Sequence, residues 1–260
     1  MDFQLRTAIV TGRNHILHGR NCQDALYSLT FEIDGQSYLV GVIADGCGEG
    51  QHSEVGAQLA VQYVPYALRS LLRQEVALED MPVLLFGGLM RFLKSVVDNY
   101  SFASTRERVQ FVHNHLLFTL LGFVLTPADT LVFAAGDGII LINDEVHLRE
   151  QNNTPAYPGY HLIDQQYLQT PASTLPTAFD LYLVPSSALH KLAIGSDAWL
   201  QEQPLLEHIW GLSGVAGLQL QLNRWSNARH LKDDASLIVL ERIPQPETGE
   251  SAWTLTSQER

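Results

Sequence analysis

The strongest constraint on the fold is an apolar run that ends abruptly in an Asp-Gly pair and a glycine-rich loop. Residues 38–44 (YLVGVIA) are typical of a buried strand, and Asp45 and Gly46 follow it directly. Gly46 allows a sharp turn or a close approach because it has no Cβ. An isolated Asp-Gly is most often a turn. A strand-end carboxylate beside a free carbonyl is also the kind of oxygen ligand that hard divalent cations prefer.

The length and composition indicate one large folded unit. The chain has 260 residues, of which 46% are hydrophobic and 17% charged, enough for a single sizeable core. We predict one domain over residues 1–243. Residues 244–260 are polar and read as a loose C-terminal tail.

The charge balance excludes several classes of partner. Lys and Arg number 16 against 28 Asp and Glu, a formal charge of −12, so nucleic acid and anionic membranes would be repelled. The N-terminus has no apolar segment long enough for a signal peptide, and no run approaches the length of a membrane span. With only Cys22 and Cys47 as cysteines, we expect a cytoplasmic protein.

The first third of the chain predicts two neighbouring carboxylates. We expect a strand over 4–10, a polar loop over 11–21, and a strand over 25–33 that turns at Asp34-Gly35 into the strand carrying Asp45. In an antiparallel pair joined by a short turn the far ends meet, so Asp24 would lie beside Asp45. Two such carboxylates repel each other without a cation.

Helical periodicity follows, and β-texture then returns. A stripe at Val55, Leu59, Tyr63, Ala67 and Leu71 predicts a helix facing a core, and further helices are expected over 83–100 and 105–113. Residues from 116 onward read as an antiparallel meander.

Within that meander, Asp137 stands between two glycines, which fits either a hairpin turn or an inward-facing ligand. Residues 149–178 contain four prolines and are predicted to form an irregular surface insertion suited to substrate contact.

The last third adds two more acidic sites. Asp197 follows an apolar strand in LAIGSDAWL, and Asp233 opens the last strand in KDDASLIVL. Five aspartates therefore stand at predicted strand ends or turns: Asp24, Asp45, Asp137, Asp197 and Asp233.

The order of these motifs resembles the metal-dependent protein phosphatases of the 2C type. It is carried by the segments NCQDA, GVIADGCGEG, TLVFAAGDG, LAIGSDAWL and KDDASLIVL, between about Ala8 and Arg242. GRNHILHGRNCQDA and ADGCGEGQHSEVGAQLA are most similar to the compact bacterial branch of that family. The resemblance implies an α+β fold in which two antiparallel β-sheets pack as a sandwich flanked by pairs of α-helices.

The resemblance also implies a site and a reaction. Asp45 would bridge two Mg or Mn ions, Gly46 would bind one through its carbonyl with Asp24 nearby, and Asp197 and Asp233 would complete the other. Asp137 matches a third, weaker metal position. The implied activity is hydrolysis of phosphoserine and phosphothreonine on a protein substrate by metal-activated water, and we expect a monomer. Hard oxygen ligands favour Mg or Mn over thiophilic metals.

Some positions depart from the family pattern. Cys47 stands where animal members have a His, and Gln201 stands where an acidic third-metal ligand is often found. A weakly active or non-catalytic binding module therefore stays open as the alternative. A metal-ligand role for His15 and His18 is disfavoured because no Cys or His partner set accompanies them.

The phosphate-binding arginine is a second departure. The family places it five residues before the position of Asp24, where this chain has Gly19, while Arg20 lies one residue later. A guanidinium suits a phosphoryl group because its planar fork makes two charge-assisted hydrogen bonds. We predict Arg20 as the phosphate ligand, ahead of Arg13, with His18 as a neutral substitute.

Overall fold

The computed structural model describes residues 2–151, 155–168 and 174–243, and the predicted tail at 244–260 lies outside them. The strands are β1 Phe3–Val10, β2 Asp24–Ile33, β3 Gln36–Gly46, β4 Phe118–Leu125, β5 Asp129–Ala135, β6 Gly138–Ile142, β7 Glu145–Arg149, β8 Asp180–Pro185, β9 Lys191–Gly195 and β10 Ala235–Arg242. The α-helices are α1 Arg13–His18, α2 Glu54–Arg73, α3 Met81–Asp98, α4 Thr105–His115, α5 Ala198–Gln201 and α6 Gly217–Asn227. Short 3-10 helices occupy Pro158–Leu162, Gln165–Tyr167 and Gln203–His208.

Two five-stranded antiparallel sheets form the centre of the molecule. Their strand orders are β1-β10-β9-β6-β7 and β2-β3-β4-β5-β8. Alternate side chains of both sheets meet in a shared apolar layer that includes Ile43, Phe123, Ile194 and Ile238. The predicted α+β sandwich is confirmed.

Helices cover the outer face of each sheet. Apolar residues of α2, α3 and α4 pack on the β2-β3-β4-β5-β8 sheet, and Trp199 of α5 and Trp225 of α6 pack on the other. Burying both faces of each sheet explains why all eight residues of β4 are buried.

The predicted core stripe of α2 is confirmed except at its first residue, because Leu59, Tyr63, Ala67 and Leu71 pack against the core, although they are only partly buried. Val55 is 40% exposed, while the buried face carries Ala57, Val61, Val64 and Leu68. Gly56 shows the physical reason, since a Cβ there would lie 2.5 Å from a backbone carbonyl oxygen at the end of α4. Small residues let the helix approach closely along this face, so the predicted stripe with the larger side chains lies beside it and is only partly buried.

Two local predictions are corrected at the chain turns. The segment 11–21 is not all loop, because α1 forms within it and ends at Gly19, whose φ is 64°. The predicted meander is interrupted, because β5 and β6 belong to different sheets and the chain crosses between them at Asp137. The flanking glycines, Gly136 at φ 91° and Gly138 at φ 136°, permit that crossing. Asp137 is therefore not in a hairpin turn.

The segment 149–178 is only partly a surface feature. Leu162 and Ile163 are buried against the helical side of the sandwich, so they anchor the described part of this segment. In the portion of the chain that the structure describes, no helix is long and apolar enough to cross a bilayer.

Candidate metal centre

Strand pairing brings the five predicted aspartates to one end of the sandwich. Asp24 opens β2 and Asp45 lies near the end of β3, and the two are direct antiparallel partners, as predicted. In the other sheet the start of β6 and the end of β9 are neighbours, which places Asp137 near Asp197. Asp233 lies two residues before β10, which pairs with the same end of β9.

The electrostatics of Asp45 show that these groups converge. Burial raises the pKa of Asp45 well above its ordinary value, and the charges of four further aspartates raise it again. Those aspartates are Asp24, Asp197, Asp233 and Asp137. Each carboxylate would add to the repulsion if all were ionised without a counter-charge.

Asp24 is the most deeply buried member of the group. Its exposed fraction is 4%, and neither carboxylate oxygen makes a hydrogen bond of normal geometry. Burial raises its pKa most strongly and the charge of Asp234 adds to the rise, while the nearby Ser236 and Ser196 hydroxyls act against it. The resulting pKa is about 7. A buried carboxylate with no satisfied oxygen is costly unless a cation compensates it.

Asp137 and Asp197 form the opposite side. Burial and the charge of Asp197 raise the pKa of Asp137 to about 6, while Arg149 acts against that rise. Arg149 donates to the Gly136 carbonyl at 3.0 Å, so it holds the sheet-crossing turn. Burial and the charge of Asp233 raise the pKa of Asp197.

Asp45, Asp137, Asp197 and Asp233 line a cleft of about 700 Å³, while Asp24, the direct strand partner of Asp45, is buried outside its lining. Among the described residues that line it there is no Lys or Arg, while the acidic residues are Asp45, Glu49, Asp137, Asp197, Asp233 and Asp234. Several carboxylates that share one cavity with no Lys or Arg in its described lining fit bound divalent cations with oxygen ligands. The donor set therefore suits Mg or Mn.

The glycine-rich loop after β3 is tied down on several sides. The Cys47 amide donates to the Leu117 carbonyl at 2.9 Å, and Ser53 Oγ donates to the Cys47 carbonyl at 2.9 Å. A Cβ on Gly46 would lie 2.7 Å from Ser53 Oγ, so only glycine fits there. These contacts fix the backbone next to Asp45.

Arg20 belongs to the same loop support. Its guanidinium donates to the Gly48 carbonyl at 2.7 Å and to the Gly50 carbonyl at 3.4 Å, and it is not among the residues that line the cleft. Arg13 and His18 do not line it either. These two bonds use two of the five N–H donors of the guanidinium, and a phosphate contact by Arg20 stays a prediction.

Asp234 is a structural centre that the sequence reasoning missed. It accepts hydrogen bonds from the Gly12 amide at 2.7 Å, the Gln23 amide at 2.6 Å and His15 Nδ1 at 2.7 Å. It thereby joins the starts of α1, β2 and β10 beneath the cleft. The acidic pair Asp233-Asp234 was the only available signal, and it did not distinguish the two roles.

His15 lies close to two carboxylates, although the sequence disfavoured a metal-ligand role for it. The structure places one ligand atom each of His15, Asp233 and Asp234 within 4.8 Å of one another, and His15 lines the cleft. The missing partners are thus carboxylates from the far end of the chain. This cluster includes one member of the five-aspartate group, Asp233, so it extends the same centre.

Comparison with known proteins agrees with this geometry. The family model for Protein phosphatase 2C matches residues 11–196, a range that includes Asp24, Asp45 and Asp137 and stops just before Asp197. Serine/threonine-protein phosphatase 3 of Escherichia coli (strain K12) is 27% identical over 145 residues, 55% of this chain and 54% of the relative. The chain thus spans about half the length of that curated relative.

Solved structures extend the likeness to nearly the whole chain. A point variant of a bacterial serine phosphatase has a TM-score of 0.60 at 14% identity, covering 93% of this chain and 99% of its own. The catalytic domain of the phosphatase PstP, solved with two manganese ions, has a TM-score of 0.53 at 14% identity, covering 92% and 97%. These likenesses concern the fold. Since the family model matches well over half of the chain and the predicted motifs meet at one cleft, the chain belongs to the protein phosphatase 2C family.

Proposed function

We propose that this protein is a metal-dependent serine/threonine protein phosphatase that hydrolyses phosphoserine and phosphothreonine in protein substrates. The observation that carries the proposal is the convergence on Asp45 of four other aspartates, at a cleft whose described lining contains no Lys or Arg. The E. coli relative that matches about half of the chain bears the name of a serine/threonine-protein phosphatase, which supports the same substrate class.

We assign the carboxylates to individual ions as the family resemblance implies. Asp45 lies at the centre, where it would contact both ions. Asp24 and the Gly46 carbonyl would serve one ion, and Asp197 and Asp233 the other, with Asp137 reserved for a third. When bound, divalent ions supply positive charge that lowers the pKa of a water and offsets charge on phosphoryl oxygens. The PstP structure contains two manganese ions, which supports two ions for the central pair of sites.

The remaining polar groups of the cleft would orient the phosphoester. Thr119 of β4 is the direct partner of Asp45 in the β3–β4 ladder, and its hydroxyl is buried without a hydrogen-bond partner. His15 has its Nδ1 held by Asp234 and its ring at the cleft wall. With no Lys or Arg lining the described cleft, the Thr119 hydroxyl and the His15 ring are available donors to phosphoryl oxygens. Arg20 remains the predicted cationic ligand, through the N–H groups that do not bind the Gly48 and Gly50 carbonyls.

The decisive experiment is turnover of an aryl phosphate and a phosphothreonine peptide with Mn, with Mg and after chelation. We expect hydrolysis only with added metal, and a loss of several orders of magnitude in Asp45→Asn while the fold is retained. Full activity after exhaustive chelation would refute the metal-dependent mechanism.

A non-catalytic binding module is the competing function, and the cleft without arginine favours it. It would bind phosphopeptide with metal present and turn over neither substrate. The same two assays therefore separate the two functions. The cytoplasmic location and monomeric state stay predictions, and sedimentation of the purified protein would check the second.

A further inference from the structure

One wall of the cleft carries a row of aromatic rings that the proposed chemistry does not use. Tyr157 and Tyr160 have ring centroids 5.6 Å apart, and Tyr160 and His113 have centroids 6.2 Å apart, both in edge-to-face arrangements. All three side chains line the cleft. The described part of the 149–178 segment supplies the tyrosines and α4 supplies the histidine.

The row leads from the acidic floor towards the cleft mouth. The charges of Asp45 and Asp137 act on Tyr157, which also lies beside the Cys47 thiol. Glu49 acts on the next two rings, Tyr160 and His113, and its own side chain is exposed. The order from floor to rim is therefore Tyr157, Tyr160 and then His113 with Glu49.

In the described part of the chain, the rim carboxylate of Glu49 is not in an ion pair, although Arg20 donates to the carbonyls of Gly48 and Gly50 on either side of it. Among the described residues, Glu49 takes part in no ion pair or side-chain hydrogen bond, and no Lys or Arg lines the cleft. Burial lowers the pKa of His113, so its ring is neutral at neutral pH. The wall thus presents aromatic surfaces and one free negative charge.

We propose that Tyr160, His113 and Glu49 form a subsite for a basic side chain of the substrate, close to the phosphorylated residue. A cation over an aromatic ring is attracted by the ring's electrons, and a carboxylate beside the ring adds an ion pair. Arginine suits both contacts best because its planar guanidinium stacks on a ring and makes two hydrogen bonds to a carboxylate.

This inference rests on the proposed function and narrows its substrate class to phosphopeptides with a basic residue near the phosphoserine or phosphothreonine. The overall charge acts in the same direction, because a chain with a formal charge of −12 repels acidic peptides before they reach the cleft. An acidic flank would meet Glu49 directly.

The test uses two phosphothreonine peptides that differ only in flanking residues, Arg in one and Glu in the other. Binding is measured by fluorescence anisotropy with Mn present, on the wild type and on Asp45→Asn, which slows any hydrolysis. We expect the Arg peptide to bind at least about tenfold more tightly than the Glu peptide. Glu49→Gln should reduce that ratio to about threefold or less, and Glu49→Lys should invert it.

Glu79→Gln is the matched control. Glu79 is exposed in the connection after α2, whereas Glu49 lies just before that helix of 20 residues, so the same charge change is made at its other end. We expect the peptide ratio in Glu79→Gln to equal that of the wild type. Tyr160→Leu should weaken the Arg peptide and leave the Glu peptide within about twofold.

Equal binding of the two peptides by the wild type would overturn the subsite, as would an unchanged ratio in both Glu49 variants. Aryl phosphate turnover, which has no flanking residue, reports the proposed function separately. An inactive protein that still prefers the Arg peptide would refute the phosphatase and retain the subsite. An active protein without the preference would do the reverse.

Discussion

The strongest stability prediction concerns Asp24→Asn in the protein stripped of metal. Asp24 is 4% exposed, faces Asp45 across the β2–β3 ladder, and has neither oxygen in a hydrogen bond of normal geometry. Burial raises its pKa from 3.8 to about 7. Asparagine has nearly the same shape without the charge, so the substitution removes the source of the penalty.

The sign and size follow from proton linkage. Between pH about 4 and about 7, folded Asp24 keeps a proton that the unfolded chain has lost, so unfolding free energy falls as pH rises through this window. Above that window the free energy of unfolding is lower by roughly 4 kcal/mol, because the pKa rises by about 3 and each step of one in pKa corresponds to 1.36 kcal/mol. We expect Asp24→Asn to recover about 2 to 4 kcal/mol at pH 8, which corresponds to roughly 5 to 15 °C in Tm.

The assay is thermal unfolding in chelator at pH 5 and pH 8. The wild type should lose stability between the two, and Asp24→Asn should lose clearly less. Asp144→Asn, an exposed aspartate between β6 and β7, is the matched control and should behave as the wild type. Adding Mn at pH 8 should stabilise the wild type more than Asp24→Asn, because bound ions replace the missing counter-charge.

Two results would refute this reasoning. One is a metal-free wild type whose Tm changes no more than that of Asp24→Asn between pH 5 and pH 8. The other is an Asp24→Asn protein that is less stable than the wild type at pH 8 in chelator, which would mean that Asp24 contributes as an ionised group even without metal.

Three other predictions address single residues. Asp137→Ala should bind the two core ions with unchanged affinity by calorimetry, yet hydrolyse substrate slowly. If Asp137→Ala loses as much metal affinity as Asp45→Asn, Asp137 does not have the separate role of holding a third ion. Asp234→Ala removes the acceptor of three hydrogen bonds and should cost about 3 to 5 kcal/mol in chemical denaturation, more than any conservative change at the cleft floor. Arg20→Ala should raise KM for phosphopeptides if Arg20 binds phosphate in addition to supporting the loop, with Arg20→Lys intermediate. A kcat/KM within about twofold of the wild type would limit Arg20 to loop support.

The pairing of Asp24 with Asp45 could be predicted because it depends on local information. A two-residue turn with Asp34 at φ 51° and Gly35 at φ 75° sets the register of the whole hairpin. Asp197 and Asp233 could be placed at strand ends by the same apolar patterns that identify the strands. What those patterns could not give is which strand ends meet, and there the family resemblance supplied the grouping.

The errors share one physical origin, which is contact between distant parts of the chain. The crossing at Asp137 depends on β6 pairing with β9, about 50 residues later, and no local pattern encodes that choice. The role of Asp234 depends on amides and a histidine more than 200 residues away. The rotation of α2 depends on a close approach at Gly56. Sequence periodicity indicates which residues face a core, but it does not indicate which strand or helix they pack against.

The length of the β2–β3 hairpin fixes the positions of Asp24 and Asp45 in the metal centre. Its ladder runs unbroken through ten residue pairs, from Ile33 opposite Gln36 to Asp24 opposite Asp45. Because side chains alternate between faces, a single insertion or deletion in either strand would both shift Asp24 along the ladder and turn it to the other side of the sheet. Among relatives, changes of length should therefore accumulate in the segment 149–178 and the tail, while the count of residues between Asp24 and Asp45 changes only at the turn.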